Sequence, residues 1–528
     1  MGQSGNMGAH MTRQHSTQID IHTSQDIPVT LFANEDVPVE AQGVRQVRAF
    51  CGLSDSLDEV TRAQRAQEVE PFWGARAEGA LERIVLTPDF HKGSSGIPVG
   101  TVARTRHMVV PKAVGNDICC GMRLLVTSLR RKDLAPMQDA LERELRGIFF
   151  EGKRGLALSP KQREALLRDG PQGLHRLCGE HASLGLWAYY DPQAQRDDLA
   201  RMNIPGGFHT QPTGLFDDYI QGSGGAQSYG AHLGSVGGGN HFVEIQTVDA
   251  ILDGATAHAW GLEVDQVVVM IHTGSIGFGH RVGKTFQEKA AAIYPKGVSK
   301  PEHDFYVLPT QGPHAPLARA YLNAMRQAAN FALCNRLFLG LMVLRAMTQA
   351  RSARSSDGPR RVQGRLLYDV PHNLIWADGE DAYIHRKGAC PAHGPQQQTH
   401  APFTYTGAPV LVPGSMGDAS YVMAGQGNPH ALCSACHGAG RAVGRGQMRR
   451  LSVDAYAQQV APLRVVTSVN TRDPQVRARR DILAAHSARL AEEAPGAYKP
   501  IGPVVETIEQ AQIARRVARL WPWMTIKS

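Results

Sequence analysis

Asp117, Cys120, His241, His272 and His372 are five residues of metal-ligand type spread widely along the chain. Each stands at a turn or at the end of an apolar run. If they act together, one fold or one domain junction must bring them to a single point. That requirement speaks against the three independent domains that 528 residues would otherwise suggest.

The runs themselves repeat a pattern. Val267 to Ile271 reads as a strand and exits at His272-Thr273-Gly274-Ser275. Leu366 to Val370 reads as a strand and exits at Pro371-His372-Asn373. Gly237-Gly238-Gly239-Asn240-His241 enters a third strand, Phe242-Val243-Glu244-Ile245, with Glu244 facing away from its neighbours. Three glycines let the backbone turn sharply and approach a bound group. Asp117 and Cys120 are three apart, so one turn can aim both at a point before the strand-like 122–126. Carboxylate oxygen, thiolate and imidazole together suit a transition metal better than Mg²⁺ or Ca²⁺, and a thiolate can bridge two cations. Any one of the five alone reads as a packing or solvated residue. Five together make a two-metal site the best single reading.

Other motifs lie outside this set. Pro88 to Gly100 is a loop with Asp89, His91 and Lys92, either an anion site or a surface turn. His385-Arg386-Lys387-Gly388 is a basic cluster, suited to phosphate or to a solvated turn. Cys433-x-x-Cys436 lacks the second pair that a zinc site would need. Gly438 and Gly440 hold His437 where a substrate could approach, with Arg441 and Arg445 near. A neutral imidazole can attack an activated phosphorus, and metal ions nearby would polarise the phosphoryl oxygens.

The pattern predicts helices over 54–70, 133–149, 159–169 (stopped by Gly170-Pro171), 317–349 and 504–520. The fourth is apolar on a broad side but broken by arginines, as in a core helix rather than a membrane span. Residues 1–17 are polar and Gly-rich, so 1–20 is expected to be a disordered or expression-derived tail. Eight cysteines suggest a reducing compartment, and the expected location is cytoplasmic, with no membrane partner. A net charge of +8 favours a polyanionic partner, though a solvated basic surface gives the same balance.

Gly115-x-Asp117-x-x-Cys120-Gly121, Gly239-Asn240-His241-Phe242, His272-x-Gly274-Ser275, His372-Asn373, His385-Arg386-Lys387-Gly388, Pro413-Gly414-Ser415-Met416-Gly417 and His437-Gly438-Ala439-Gly440-Arg441 occur in this order. From about residue 80 onward the chain resembles the RtcB-type RNA-splicing ligases. The resemblance implies a single α/β domain over 21–528, with mixed sheets around a two-metal site and an inserted helical arm at about 130–200. It implies two Mn²⁺ ions on Asp117, Cys120 (bridging), His241, His272 and His372, with GTP as cofactor and His437 as the residue guanylylated. Asn240 and Asn373 would contact the phosphates, and Glu244, Ser420, Tyr498 and Lys527 the guanine. Pro413, Ser415, Met416, Gly438, Ala439 and Gly440 would complete the nucleotide site. Arg386, Lys387 and Arg441 are candidates for the RNA phosphate. The substrate would be RNA with a 2′,3′-cyclic phosphate or 3′-phosphate end and a 5′-hydroxyl end, in RNA repair or tRNA splicing, with archease as an activating partner.

The chain departs from the family pattern at Ile276, where Arg is usual, at Ala389-Cys390-Pro391 after the basic cluster, and at Gly444-Arg445. It is read as a divergent branch whose RNA-end step is more affected than its GTP step. A metal-dependent phosphoesterase and a non-catalytic RNA-binding relative are the alternatives.

Overall fold

A computed structural model describes residues 11–181, 184–222, 233–353, 361–399, 402–444, 448 and 463–528. Arg445 of the sequence reading lies outside them. Among the described residues two large, mostly antiparallel sheets carry the architecture. The first runs, in spatial order, Gly364–Pro371, Gly121–Arg130, Gln266–Thr273, Phe242–Ile251, Ala514–Ile526, Ser420–Gly425 and Pro409–Val412, and Arg464–Val466 pairs in parallel with Ala514–Ile526. The second contains Met11–His15, Gln18–Ile21, Val29–Phe32, Ala80–His91, Val99–Arg106, Ala382–Lys387 and Asn373–Ala377.

Strand alternation shows how the layers stack. In Gln266–Thr273, Val268 and Met270 enter a core shared with the second sheet (Leu86, Val102). Val267, Val269 and Ile271 point the other way, into a core built around the long helix Ala315–Ser352. A strand covered on both faces is apolar at every position rather than at alternate ones, which is why this run looked continuous. From Gln327 to Leu344 the long helix is buried all round, because Arg131–Phe150, Pro160–Arg176 and Gly277–Ile293 pack on it as well as the sheet. Its length and composition would suit a membrane, but 94% of its apolar window is buried within the protein.

The structure corrects several expectations. Of the tail expected over 1–20, residues 1–10 lie outside the described residues and 11–20 are no tail: Met11–His15 and Gln18–Ile21 pair, and Ile19 and Ile21 are buried where alternation places them. Gly170, at φ 61° and ψ −144°, breaks the first helix where expected, and a second helical segment follows from Pro171 to Arg176. The C-terminal helix closes at Gln510, Gln512 adopts a positive φ, and Ala514–Ile526 is a strand. The loop predicted over 88–100 is shorter than expected, since Ala80–His91 runs through Pro88 and the next strand begins at Val99, leaving 92–98 as the loop. The helical segment expected as an arm is packed into the body: Leu141, Leu145, Leu166 and Trp187 belong to the core around the long helix.

Candidate active site

Antiparallel register gathers four of the five ligand-type residues. Gly121 lies opposite both Thr273 and Pro371, and Phe242 lies opposite His272. Cys120 and His241 therefore precede strands where His272 and His372 end theirs, all at one end of four adjacent strands. Asp117 joins them from the turn before Cys120. The distances are short. Cys120 Sγ lies 3.3 Å from Nε2 of both His241 and His272, and His272 Nε2 lies 3.3 Å from His372 Nε2. His241 Nε2 is 2.9 Å from Asp117 Oδ2.

Main-chain bonds hold the loops that carry them. His372 N–H donates to Cys120 O (2.7 Å), Cys119 N–H to Asn373 O (2.7 Å), and Ser275 Oγ–H to Ile118 O (2.6 Å). Gly274 leaves room for Asp117: a Cβ there would stand 2.4 Å from Oδ1 and would displace the carboxylate. Gly237 and Gly239 turn at φ 85° and 72°, and a Cβ at Gly237 would meet His241 Nδ1 at 2.7 Å.

Burial shapes the titration of this cluster. It pushes His272 and His372 well below the usual imidazole range, with neighbouring imidazoles adding to the effect. Burial, with the Asp117 carboxylate beside it, pushes the Cys120 thiol well up. Burial also works to raise Asp117, but His241 outweighs it and holds the carboxyl below its ordinary value. Neutral imidazoles, a carboxylate and a thiol thus face one another in a dry place, while His241 Nδ1 and His372 Nδ1 are buried with no partner among the described residues. A soft and borderline donor set of this kind fits a divalent transition ion, which also keeps a coordinating thiol deprotonated.

His437 follows the short strand Ser434–Cys436, paired with Ala389–Pro391, so the departure Cys390-Pro391 lies within the ribbon that presents it. Its ring centroid is 4.5 Å from that of His372 and 6.1 Å from that of His272. Nδ1 lies 2.6 Å from Asp89 Oδ2, and its main-chain N–H donates to the same oxygen (3.3 Å). Nε2 is left on the side away from that carboxylate. Burial of Asp89 opposes its charge, but His437 and Thr87 outweigh burial and hold it below the ordinary carboxylate range. Gly440, at φ 79°, lets this turn come against the chain: a Cβ would stand 2.2 Å from Asp89 O.

The sequence places Asp89 with His91 and Lys92 in a segment read as an anion site or a surface turn; its contact with His437, 348 residues away, is what the structure adds.

A cavity of about 260 Å³ opens beside His437. Asn240, Glu244, Pro413, Ser415, Met416, Gly438, Ala439, Gly440, Arg441, Tyr498 and Lys527 line it, together with His91, Lys92 and Phe242 of the motifs above and with Glu493 and Thr525, which the sequence did not single out. Glu244 accepts from Thr525 Oγ and from Gln246 Nε2 (2.7 Å), and burial raises its carboxyl to about 7 against those bonds and Lys527. Ser420 stands one contact back, accepting from Gln246 Nε2 (2.9 Å) and from Gly414 N–H (3.2 Å). Lys527 donates to Gly239 O (2.7 Å) and His241 O (3.0 Å), joining the C-terminus to the glycine turn. Asn373 is not in the cavity lining; its amide accepts from Gly388 N–H (2.8 Å) and donates to Asp117 O (3.1 Å).

The three phosphate candidates are held by protein groups. Arg386 is 2% exposed, donates to Ser434 Oγ (2.8 Å) and Leu432 O (3.2 Å), and lies over Trp376. Lys387 donates to Ser95 Oγ and to Ile97 O (2.7 Å). Arg441 lines the cavity but donates to Glu492 O and Glu493 Oε1 (both 2.8 Å) and stacks on Tyr498. His385 accepts from Val110 N–H (3.0 Å) as part of the second sheet.

The family model "tRNA-splicing ligase RtcB" matches residues 74–528. The tRNA-splicing ligase RtcB of Thermococcus kodakarensis is 34% identical over 471 residues, covering 85% of this chain and 88% of that protein. That of Archaeoglobus fulgidus is 31% identical, over 92% and 96%. The RNA-splicing ligase RtcB of Mycobacterium tuberculosis is 34% identical, over 86% and 98%.

Proposed function

The chain belongs to the RtcB family and is an RNA ligase of it, and from that premise we propose a GTP- and Mn²⁺-dependent ligase that works through a covalent His437–GMP intermediate. It would join RNA 2′,3′-cyclic phosphate or 3′-phosphate ends to 5′-hydroxyl ends. The observation that carries this reading is the placement of His437 between Asp89 on one side and the His272/His372 cluster on the other.

Asp117, Cys120, His241, His272 and His372 would hold the metal, with Cys120 Sγ placed within reach of both His241 and His272. Bound there, a divalent ion polarises phosphoryl oxygens and orients the leaving group. The protein's own groups account for the rest. Asp89 keeps the proton of the imidazole on Nδ1, so the Nε2 lone pair is available as a nucleophile. His437 Nε2 bonds to the α-phosphorus of GTP as the bond to the β-phosphate oxygen breaks and pyrophosphate leaves. Glu244 and Lys527 read the guanine, Asn240 and the turn Gly438–Gly440 approach the phosphates, and Tyr498 closes the wall. Water reaches His437 poorly, since it is 7% exposed. A 3′-phosphate oxygen of the RNA, freed by water where the end is a cyclic phosphate, would attack the phosphorus on His437 as the Nε2–P bond breaks, and the 5′-hydroxyl would then attack the 3′-phosphorus and displace GMP. A phosphoesterase would use the same ligands but has no need of a carboxylate-held imidazole beside them.

The test is incubation with α-phosphate-labelled GTP and Mn²⁺. We expect label on the protein that is lost in mild acid and kept in alkali, and no label on His437→Ala. We also expect normal labelling but weak joining of a generic RNA pair, because Ile276 supplies no guanidinium fork for the RNA phosphate. Acid-stable label, or label on His437→Ala, would sink the assignment of the nucleophile.

A further inference from the structure

Two consecutive polar residues stand in the middle of the long apolar helix Ala315–Ser352. Asn335 and Arg336 are both fully buried. Burying a guanidinium is costly unless it is paired and all its donors are engaged, and a helix in this position needs only apolar side chains to pack.

The contacts of Arg336 fall beside the ligand-type residues. Nη1 donates to Cys119 O (2.8 Å), next to Cys120, and to Thr273 O (2.9 Å), next to His272. Nε and Nη2 donate to Asp369, at 3.1 and 2.7 Å to Oδ1, on the strand that ends at His372. Asp369 is also held by Arg123 Nη1 (3.2 Å), on the strand that begins after Cys120. Asn335 continues the set. Its Oδ1 accepts from Gly234 N–H (2.7 Å), and its Nδ2 donates to Ser235 O (3.0 Å) and Gly274 O (3.5 Å). Residues 234–235 lead into the glycine turn that carries His241.

We propose that Arg336, assisted by Asn335, is a positioning residue that fixes the Cys120, His241, His272 and His372 loops in the geometry that binds metal. The inference rests on the metal reading given above. Arg336 touches none of the reacting atoms. It acts through main-chain oxygens one residue from two ligands and through the strand that delivers a third. Outer partners of this kind set ligand orientation, and their loss typically lowers metal affinity about 10–100-fold. Lysine would keep a charge against Asp369, but an ammonium lacks the planar fork that reaches two carbonyls and a carboxylate together.

The experiment titrates Mn²⁺ into metal-stripped protein, following free Mn²⁺ by electron paramagnetic resonance, with the melting temperature of the stripped protein recorded beside it. Wild type, Cys120→Ala, Arg336→Lys and Asn335→Ser are compared. We expect Arg336→Lys to bind Mn²⁺ at least about 10-fold more weakly while its stripped form melts within a few degrees of wild type. Asn335→Ser should show a smaller loss in the same direction, and serves as the test if Arg336→Lys does not fold. Affinity within twofold of wild type in the variant that folds would overturn the inference and leave a merely structural helix residue. Wild type that binds no more Mn²⁺ than Cys120→Ala would overturn the metal reading, and this inference with it.

Discussion

The ligand end of the first sheet and the cationic strand Ala382–Lys387 of the second lie close to His437, yet their polar groups are in opposite states. At the ligand end, sulfur, imidazole and carboxylate atoms face each other at about 3 Å, and two ring nitrogens are buried with no partner among the described residues. On the cationic strand, the donors of Arg386 and Lys387 described above end on protein oxygens. Buried polar groups are normally hydrogen-bonded. The facing donors at the ligand end are the candidate for binding something else, and the engaged donors of Arg386 and Lys387 the candidate for framework, although His385 Nδ1 on the same strand is also buried without a partner among the described residues. Residue type alone does not separate the two, because His and Arg are as common in one as in the other.

The largest test of that contrast is at the ligand end. Cys120→Ala removes the atom that contacts both His241 and His272. We expect metal content to fall to background and GTP labelling to be lost, measured by elemental analysis and by the labelling assay. Substantial labelling by the variant would place the essential donors elsewhere and erase the contrast.

Arg386→Met tests the other side. A guanidinium that gripped RNA would, when removed, lower the slope of log affinity against log salt by about 1. We expect the slope and the RNA affinity to be unchanged. Stability should instead fall by roughly 1–3 kcal/mol, because Ser434 and Leu432 lose a charged donor. Binding isotherms over a salt series, with denaturant melts, read both effects. A shallower slope would return Arg386 to the RNA interface.

How far these states were legible in the sequence follows from the same physics. The convergence of Asp117, Cys120, His241, His272 and His372 could be read because strand ends and turns are visible as breaks in an apolar run, and because antiparallel pairing must bring alternate strand starts and ends together. The surroundings of Arg386 could not be read, since a basic tripeptide looks alike whether Trp376 and Leu432 cover it or water does. The contact of Asp89 with His437 was obscured for a related reason: Pro88 signals a turn locally, but pairing with the neighbouring strand overrides it. The 504–520 segment misled because the apolar spacing of Ile513, Val517 and Leu520 fits a helical face, while the positive φ at Gln512 breaks the helix and tertiary pairing takes the rest into the sheet.

Glu244 lies between the two states, bonded to protein yet lining the cavity. Its carboxyl is raised from 4.5 to about 7, chiefly by burial. Between those values the folded protein holds a proton that the unfolded chain has released. Unfolding then releases a proton, so stability falls as pH rises through that window, by at most about 1.4 kcal/mol per pH unit. Guanine offers N–H donors, which favour the ionised acceptor, so nucleotide affinity should rise over the same range. Melts and nucleotide titrations from about pH 5 to 8 would check this, with Glu244→Gln expected to flatten both. A pH-independent affinity in wild type would separate Glu244 from guanine recognition.

The smallest expected effect lies in the backbone between the two regions. Ile276 sits at φ 50°, ψ −120°, a region that a β-branched residue enters only under strain. The strain has a local use: in that conformation its N–H donates to Asp117 Oδ1 (3.2 Å), leaving Oδ2 toward His241. Such a residue stores roughly 1–3 kcal/mol, and glycine at the same place would release it while costing about 0.5–1 kcal/mol in chain entropy. The half-buried Ile276 side chain also gives up apolar burial worth about 1 kcal/mol, so Ile276→Gly should leave stability within about 1 kcal/mol of wild type. It should leave metal affinity unchanged, because the donor is a main-chain group that the substitution keeps. If the variant were destabilised by more than that, or lost metal, the side chain and not the amide would be what holds Asp117, and the ligand end would depend on packing at Ile276 as much as on the hydrogen bonds that frame it.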